Sequence, residues 1–432
     1  MKFYSTQQNS PIVGLQEAVM NGLAPDGGLY MPIHIPQLSS NFFKAARTLS
    51  FQDIAFEVGK HFFMPDIGEE MLQSIIKDAY NFEIPLVALN ERLYVMELFH
   101  GPTGAFKDFA ARFMARLFGF FVEKSGRKVT ILVATSGDTG SAVAHGFLNI
   151  NNINVVILYP SGKVSPLQEK QLTGMGGNIK ALEVKGTFDD CQKLVKQAFL
   201  DMELKEKTTL ASANSINIAR LLPQSFYYVY LSILLNTGGR PIVVSVPSGN
   251  FGNLTAGIIA KRMGVPIDKF VASTNVNDVI PCYLQTGKFE PKPSIATISN
   301  AMDVGNPSNF VRMLELYDHD VKKMKSDVFG ANFSDQEVRE AISNVYEQFS
   351  YIMDPHGAVA YLGLIRYMSK NPECQGVFLE TAHPAKFLDE VEKSIHEPVA
   401  IPKQLKKYLK CKKEAVLIEN TFDDLENVLL SI

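Results

Sequence analysis

Cysteine is scarce and scattered in this chain, which argues against two kinds of architecture. The 432 residues include four cysteines, and no two of them form a Cys-x-x-Cys pair. Structural zinc sites usually need such pairs, and small secreted proteins need a dense set of disulfides. The eight histidines are scattered as well. The sequence therefore predicts neither a metal site nor a disulfide framework.

Long apolar runs and a strong charge of one sign are also absent. No apolar stretch reaches the roughly 20 residues that a membrane helix needs, and the densest run, 113–122, is interrupted by Arg116. The N-terminal residues MKFYSTQQNSP lack the basic and apolar regions of a secretory signal. A net charge of −3 gives no broad field that would attract nucleic acid or an anionic membrane. We therefore expect a cytoplasmic protein with no nucleic-acid or membrane partner.

The length and the pattern of apolar residues predict an α/β protein with several domains. A chain of 432 residues exceeds what one hydrophobic core usually supports. From about residue 100, short apolar strands alternate with Gly/Ser-rich turns and amphipathic helices, which is typical of parallel sheets. The clearest predicted strands are 129–134, 155–159, 242–246, 270–274 and 377–379. Ligands of such sheets bind at the carboxyl ends of the strands, where the turns lie.

We expect three parts along the chain. A mostly helical N-terminal segment covers residues 1–95, a small α/β domain covers 96–220, and a large α/β domain covers 221–432. A cleft between the two sheets would gather the Gly-rich turns. The C-terminal end, rich in lysine and then acidic and leucine-rich, is expected to form peripheral helices.

The segment HGPTGAFKDF, residues 100–109, places Lys107 at the opening of a predicted helix. The positive end of a helix dipole disfavours an ammonium group. That position suits an amine that acts as a nucleophile. The same spacing also fits a solvated lysine beside Asp108.

Two further turns each join a predicted strand to a predicted helix. ATSGDTG, residues 134–140, can form an anion-binding nest at the start of a helix, although Asp138 could instead cap that helix. VPSGNFGN, residues 246–253, suits a close approach of backbone amides to a phosphate. Many strand–helix turns contain Gly and Asn for backbone reasons alone, and this one has neither a Walker nor a dinucleotide signature.

Two polar segments complete the set. ETAHPAKF, residues 380–387, follows the last apolar strand, so Thr381 and His383 would meet the cleft; His383 could equally be a hydrogen-bonded histidine at a strand end. ASANSINIARLLPQ, residues 211–224, carries Arg220, whose forked guanidinium could grip a phosphate. Arg220 could also be a surface residue at a helix start.

Taken together and in order, these segments resemble the fold-type II pyridoxal-phosphate enzymes, and among them the threonine synthases of the longer bacterial and fungal branch. The similarity runs from near residue 10 to about residue 400. It is carried by GLAPDGGLYMP, ELFHGPTGAFKDF, TSGDTGSAVAH, SANSINIAR, PSGNFGNLTAG, NVND, SNAMDV and TAHPAKF. Gly104 stands where that family usually has a larger apolar residue, a difference that removes no functional group. The resemblance implies a tryptophan-synthase-β-like fold that binds pyridoxal 5′-phosphate.

The resemblance also implies roles for individual residues. Lys107 would carry the cofactor as a Schiff base and act as the catalytic residue. Thr381 would bond the pyridine nitrogen, and Asp138 would lie near the ring hydroxyl. Cofactor binding is further implied for Ser248, Gly249, Asn250, Phe251 and Gly252. Substrate binding is implied for Ser136, Gly137 and Thr139 at the carboxylate, and for Asn214, Ser215, Arg220 and Lys163 at the phosphate.

The reaction implied by the resemblance converts O-phospho-L-homoserine and water to L-threonine and phosphate, the last step of threonine biosynthesis. A related threonine or serine deaminase, or a phospholyase of phosphorylated amino acids, is an alternative. The segment around Arg220 favours the first, because a deaminase needs no second phosphate site. A catalytically silent binding protein is a further alternative, which the intact Lys107 disfavours. The sequence is compatible with a monomer or a homodimer.

Overall fold

Three sheets and the helices packed on them make up the described part of the chain, residues 1–235 and 238–432, in the computed structural model. The strands are β1 (Lys2–Ser5), β2 (Val13–Gly14), β3 (Tyr30–Pro32), β4 (Leu86–Ala88), β5 (Leu93–Glu97), β6 (Val129–Ala134), β7 (Ile153–Pro160), β8 (Ile179–Lys185), β9 (Leu210–Ser212), β10 (Ile242–Pro247), β11 (Lys269–Thr274), β12 (Val328–Asn332), β13 (Gln375–Glu380) and β14 (Val416–Glu419).

The helices vary from a single turn to 19 residues. They are α1 (Leu15–Asn21), α2 (Ser40–Ala45), α3 (Phe51–Gly59), α4 (Met64–Ile67), α5 (Glu69–Ala79), α6 (Lys107–Ser125), α7 (Asp138–Phe147), α8 (Pro166–Thr173), α9 (Phe188–Leu200), α10 (Met202–Lys207), α11 (Ile218–Leu221), α12 (Ser225–Leu234), α13 (Gly252–Arg262), α14 (Val279–Thr286), α15 (Phe310–Leu316), α16 (Val321–Asp327), α17 (Asp335–Phe349), α18 (Pro355–Met368), α19 (Leu388–Ile395), α20 (Lys403–Leu409) and α21 (Phe422–Leu430). Short 3-10 helices cover Ala46–Thr48, Leu222–Gln224, Asn300–Met302 and Pro384–Phe387. Within the described ranges, no helix is long and apolar enough to cross a membrane.

The two larger sheets are built mainly from parallel strands. The six-stranded sheet has the order β12-β11-β10-β13-β5-β4, and only its edge strand β4 runs antiparallel. The five-stranded sheet has the order β14-β8-β7-β6-β9, with every pair parallel. All residues of β6, β10 and β13 are buried, as expected when helices cover both faces of a sheet. The predicted α/β fold with two parallel or mixed sheets is confirmed.

The sheets do not follow the chain in contiguous blocks. Strands β4 and β5 precede the five-stranded sheet in sequence, yet β5 pairs with β13 in the six-stranded sheet. At the other end, β14 pairs with β8, so the C-terminal segment contributes a strand besides helices. Its short apolar run, 415–418, lies between charged residues and was not among the predicted strands, and only Ile418 of the strand is buried. The domain limits at 95/96 and 220/221 stay predictions.

The long helix α6 connects the N-terminal helices to the body of the fold. Its Phe113 ring lies 4.8 Å from that of Phe63, 6.3 Å from that of Tyr80 and 6.0 Å from that of Phe226. Phe63 directly precedes α4, Tyr80 directly follows α5, and Phe226 belongs to α12. These aromatic contacts therefore pack α6 against the ends of α4 and α5 and against α12. Since Lys107 is the first residue of α6, the same packing fixes the position of its backbone.

Replacement of Phe113 with alanine tests the role of this aromatic cluster. We expect the free energy of unfolding to fall by about 3–5 kcal/mol, because a fully buried ring leaves a cavity behind. Phe120→Ala, on a half-buried face of the same helix, should cost clearly less. Chemical denaturation of both variants measures the difference, and equal losses would show that the cluster does not carry the packing of α6.

Candidate active site

A cleft between the two sheets brings together the turns that follow β6, β10 and β13. Its free volume is about 940 Å³, including the open mouth. The residues singled out from the sequence that line it are Lys107, Ser136, Asp138, Thr139, Asn214, Ser215, Arg220, Gly249, Asn250, Phe251, Gly252 and Thr381. Segments more than 270 residues apart in the sequence (Lys107 and Thr381) thus share one cavity, as expected where the carboxyl ends of parallel strands meet.

Lys107 presents a nearly buried amine that has no hydrogen-bond partner within residues 1–235 and 238–432. Its side chain is 16% exposed, and Nζ lies 3.9 Å from Oδ2 of Asp138, beyond hydrogen-bond distance. Nζ also lies 5.2 Å from the centre of the Phe106 ring. Burial lowers the pKa of Lys107, and the nearby charges of Lys386 and Arg220 add to that effect while Asp138 opposes it. The solvated lysine that the sequence left open is therefore not what the structure contains.

Thr381 is tied to the residue that precedes Lys107. Its carbonyl oxygen accepts a hydrogen bond of 2.9 Å from the backbone N–H of Phe106, and the next residue, Ala382, bridges to Ala105. The Thr381 side chain is 5% exposed and lines the cavity. These backbone contacts therefore hold the segment that carries Thr381 next to the segment that carries Lys107.

Asp138 is an ionised carboxylate rather than a helix cap. Helix α7 begins at Asp138 itself, with Gly137 at the cap position, so the capping alternative is wrong. Its Oδ1 accepts 2.7 Å and 2.9 Å hydrogen bonds from Lys386 Nζ and Gln168 Nε2. Burial alone would raise the pKa of Asp138, but Lys386, Lys107 and these hydrogen bonds hold it well below the ordinary range.

The turn after β10 presents a row of free backbone donors. Among the described residues, no acceptor pairs with the N–H groups of 249–252, and these residues line the cavity at the start of α13. A Cβ at Gly249 would lie 2.7 Å from the carbonyl oxygen of Ala301, so only glycine fits there. Phe251 adopts a left-handed conformation with φ of 61°. Free amides at a helix start bind phosphate groups well.

A second set of donors faces the same cavity from the segment after β9. Arg220 is 3% exposed, so it is not the surface residue that the sequence allowed. One of its Nη atoms donates to the carbonyl oxygen of Ala213 at 2.6 Å, whereas its buried Nε has no partner in the described part of the chain. Burial lowers the pKa of Arg220 to about 10, which keeps it charged at neutral pH. A buried, charged and unsatisfied donor is a binding group for an anion.

The neighbours of Arg220 contribute further polar groups. Nδ2 of Asn214 donates one hydrogen bond to the carbonyl oxygen of Ala134 at 3.0 Å, which leaves its second N–H available. Oγ of Ser215 accepts from Asn309 Nδ2 at 3.2 Å, so its own hydrogen is free to donate. Both residues line the cavity.

Three residues singled out from the sequence do not line the cavity. The N–H of Gly137 donates to Oγ1 of Thr135 at 2.9 Å. The N–H of Ser248 donates to the carbonyl oxygen of Ser273, and its hydroxyl to that of Val246. Lys163 is exposed in the turn between β7 and α8. Their binding roles stay predictions.

His383 does not line the cavity either. Its Nδ1 accepts 3.0 Å from the N–H of Ala385, and burial lowers its pKa to about 4. Such a histidine is neutral and hydrogen-bonded at neutral pH, which is the simpler of the two alternatives for this position.

The cavity also contains two polar residues that no local sequence pattern marks. His356 lines it; its Nδ1 donates to Asp354, and its Nε2 accepts 3.2 Å from the N–H of Ala301. Asp303 lines it as well, and burial raises its pKa to about 6. A lone histidine after Pro355 has no spacing that predicts a site. The segment SNAMDV, which contains Asp303, was recognisable only through the family resemblance.

The arrangement fits pyridoxal 5′-phosphate, since it offers a free amine, a row of phosphate-binding amides and the hydroxyl of Thr381 in one cavity. A family profile described as pyridoxal-phosphate dependent enzyme matches residues 82–378. Profiles for the threonine synthase N terminus and C-terminal part match residues 2–80 and 357–429.

Individual proteins agree with these profiles. The chain is 44% identical to the threonine synthase of Haemophilus influenzae over 431 residues, which covers 100% of both chains. It superposes on the crystal structure of Escherichia coli threonine synthase with a TM-score of 0.94, 41% identity and 100% of both chains covered. For the threonine synthase of Brucella melitensis with its bound cofactor, the TM-score is 0.94 at 34% identity, covering 100% of this chain and 99% of that one.

Fold, cavity and family profile together define a pyridoxal-phosphate-dependent enzyme of fold type II. Its cofactor is pyridoxal 5′-phosphate, and it is a lyase that acts on a small molecule. Within that class, the chain belongs to the threonine synthase family.

The lowered pKa of Lys107 can be measured on the protein without cofactor. We expect its amine to react with acetic anhydride at a rate that rises with pH and reaches half its maximum below 10.5, the ordinary lysine value. The sign follows because only the neutral amine reacts, and burial favours the neutral form. Mass spectrometry of the labelled peptide gives the rate, with the denatured chain as the reference. A midpoint at or above that of the denatured chain would contradict the description of Lys107 as a free, desolvated amine.

Proposed function

We propose that the enzyme converts O-phospho-L-homoserine and water to L-threonine and phosphate. The observation that carries this proposal is the presence of two separate anion-binding groups in one cavity with Lys107. The free amides of 249–252 form one group, and the unsatisfied Nε of Arg220 with its neighbours forms the other. One group suits the phosphate of the cofactor, and the second suits the phosphate of a substrate.

The first task of the chain is to hold the cofactor, which when bound supplies the electron sink of the reaction. The amides of 249–252 would bind its phosphate. The hydroxyl of Thr381 would face the ring nitrogen and Asp138 the ring hydroxyl. Lys107 Nζ is the amine that would hold its aldehyde carbon. A neutral hydroxyl at the ring nitrogen, unlike a carboxylate, does not stabilise a proton there.

The second task is to orient the substrate. Ser136 and Thr139, at the start of α7, would receive the carboxylate of the amino acid, because a helix N-terminus favours an anion. Asn214, Ser215 and Arg220 would bind the phosphate at the other end. A substrate held at both ends has its α- and β-carbons between the two groups, which leaves them within reach of a base.

Lys107 is the group that would move protons. Once the substrate amine has displaced it, Nζ would take a proton from the α-carbon, pass that proton on, and then take one from the β-carbon. The nearby carboxylate of Asp138 would stabilise the ammonium that forms each time, without fixing it in a hydrogen bond. Arg220 would retain the phosphate as it leaves the γ-carbon. The two protons would return to the γ- and α-carbons, the hydroxyl of water would add at the β-carbon, and the other proton of that water would go to the phosphate.

We further propose that the enzyme works in the cytoplasm as a monomer or homodimer, without a nucleic-acid partner. The net charge of −3 supports this proposal, because it gives no field that would favour a polyanion. The limits 1–95, 96–220 and 221–432 remain our proposal for its domains.

The central test combines purified protein, pyridoxal 5′-phosphate and O-phospho-L-homoserine. We expect phosphate and threonine to appear in equal amounts, and Lys107→Ala to lose both the turnover and the visible absorbance band of the bound cofactor. Release of phosphate with 2-oxobutyrate and without threonine would point to a different lyase. Turnover by Lys107→Ala at the wild-type rate would overturn the assignment of the catalytic lysine.

Arg220→Ala tests the substrate-phosphate site separately from the cofactor site. We expect KM for O-phospho-L-homoserine to rise by roughly 100-fold, since a charge-assisted hydrogen bond in a buried site is lost. The visible band of the cofactor should persist. Arg127→Ala, at an exposed position, is the matched control and should leave KM unchanged. An Arg220→Ala variant with the KM of the control would remove Arg220 from the site.

A further inference from the structure

A second lysine, Lys386, lies close to Lys107 and differs from it in its hydrogen-bond partners and in how completely it is buried. Lys386 is 2% exposed overall, and its ammonium is fully buried. Nζ donates to Asp138 Oδ1 at 2.7 Å and to the carbonyl oxygen of Thr103 at 3.0 Å. Among the described residues, Lys107 Nζ has no hydrogen-bond acceptor. The structure therefore assigns the two lysines different tasks.

The two oxygens of Asp138 are used unequally. Oδ1 accepts from both Lys386 and Gln168, whereas Oδ2 lies 3.9 Å from Lys107 Nζ. A buried carboxylate needs a cation and hydrogen bonds to remain charged. Lys386 supplies that cation at Oδ1, whereas Lys107 is placed near Oδ2. With Lys386 absent, Lys107 would be the nearest remaining cation for the carboxylate.

The pair also joins parts of the fold that are distant in sequence. Asp138 opens α7, directly after β6 of the five-stranded sheet. Lys386 lies in the 3-10 helix Pro384–Phe387, just after β13 of the six-stranded sheet and five residues beyond Thr381. The segment that carries Thr381 is thereby attached to the segment that carries Asp138.

We propose that Lys386 is a positioning residue, which holds the carboxylate of Asp138 through Oδ1 and so leaves the amine of Lys107 free to capture the cofactor. Lys386 touches neither cofactor nor substrate in this scheme and acts only through Asp138. The proposal rests on the proposed function for the role of Lys107. It adds that the capture of the cofactor depends on Lys386, which does not line the cavity.

Gln168 supplies an internal comparison. It donates to the same oxygen of Asp138 as Lys386, at 2.9 Å, but carries no charge. If the charge of Lys386 is what frees Lys107, removal of the Gln168 donor should matter far less than removal of the lysine. If any missing hydrogen bond to Asp138 disturbs the site, the two substitutions should act alike.

A double-mutant cycle of Lys386→Met and Asp138→Asn tests the proposal in the full chain. Titration of the cofactor-free protein with pyridoxal 5′-phosphate, followed by visible absorbance, measures its dissociation constant. We expect Lys386→Met to weaken binding by roughly 100-fold, because Lys107 becomes the ammonium partner of Asp138. Asp138→Asn/Lys386→Met should bind within about threefold of Asp138→Asn alone, because without the carboxylate Lys386 has no partner to hold and Lys107 is no longer captured. Acetic anhydride labelling should show that the pKa of Lys107 is raised in Lys386→Met and is not raised in the double variant.

Two controls make the outcome decisive. Gln168→Leu should lose less than about tenfold in affinity, and Lys196→Met, at an exposed position of α9, should lose nothing. If Lys386→Met does not fold, the double variant takes its place in the test. It should fold, and its affinity for the cofactor should match that of Asp138→Asn. A loss from Lys386→Met that is as large in the Asp138→Asn background as in wild type, or a misfolded double variant, would overturn the proposal. No amino-acid substrate is present, so failure of the phosphohomoserine assay would leave this result unaffected.

Discussion

The buried ion pair between Lys386 and Asp138 is the constraint around which the cavity is arranged. It attaches the segment after β13 to the start of α7, and these two segments also present Thr381 and Asp138 to the cavity. An isolated carboxylate at this depth would be neutralised or would pull in the nearest amine. The pair removes that conflict, since Asp138 stays charged while Lys107 has no hydrogen-bond partner in the described part of the chain.

The two anion-binding groups illustrate how differently a protein can build such sites. The turn after β10 uses backbone amides, so its chemistry depends on conformation, on a left-handed Phe251 and on a Gly249 with no room for a side chain. The segment after β9 uses the guanidinium of Arg220, which is anchored through Ala213 and keeps its Nε unsatisfied. Amides suit a phosphate that stays bound throughout, whereas a charged side chain suits one that must be gripped and then released.

Most of the sheet strands could be predicted because buried parallel strands are continuous apolar runs, as in β6, β10 and β13. The edge strand β14 was missed, because its apolar run, 415–418, is short and lies between charged residues, and only Ile418 of the strand is buried. Within the site, Gly-rich turns and an ordered set of motifs indicated Lys107, Gly249 and Arg220. His356 and Asp303 carried no local pattern of their own, and they enter the cavity only through the packing of the Asn300–Met302 turn against α18.

The sequence by itself determined the class of fold and the family, and it supplied the residues proposed to carry the chemistry, because strand patterns and motifs can be read from consecutive residues. Only the tertiary structure decided which partners each of those residues has. Lys107 and Lys386 are both lysines in recognisable motifs, and their spacing does not distinguish the free amine from the paired one. Asp138 could be a helix cap or a site carboxylate until its partners are known. Partners across a cleft come from elements that are distant in sequence, so their burial and charge balance exist only once the two sheets have packed together.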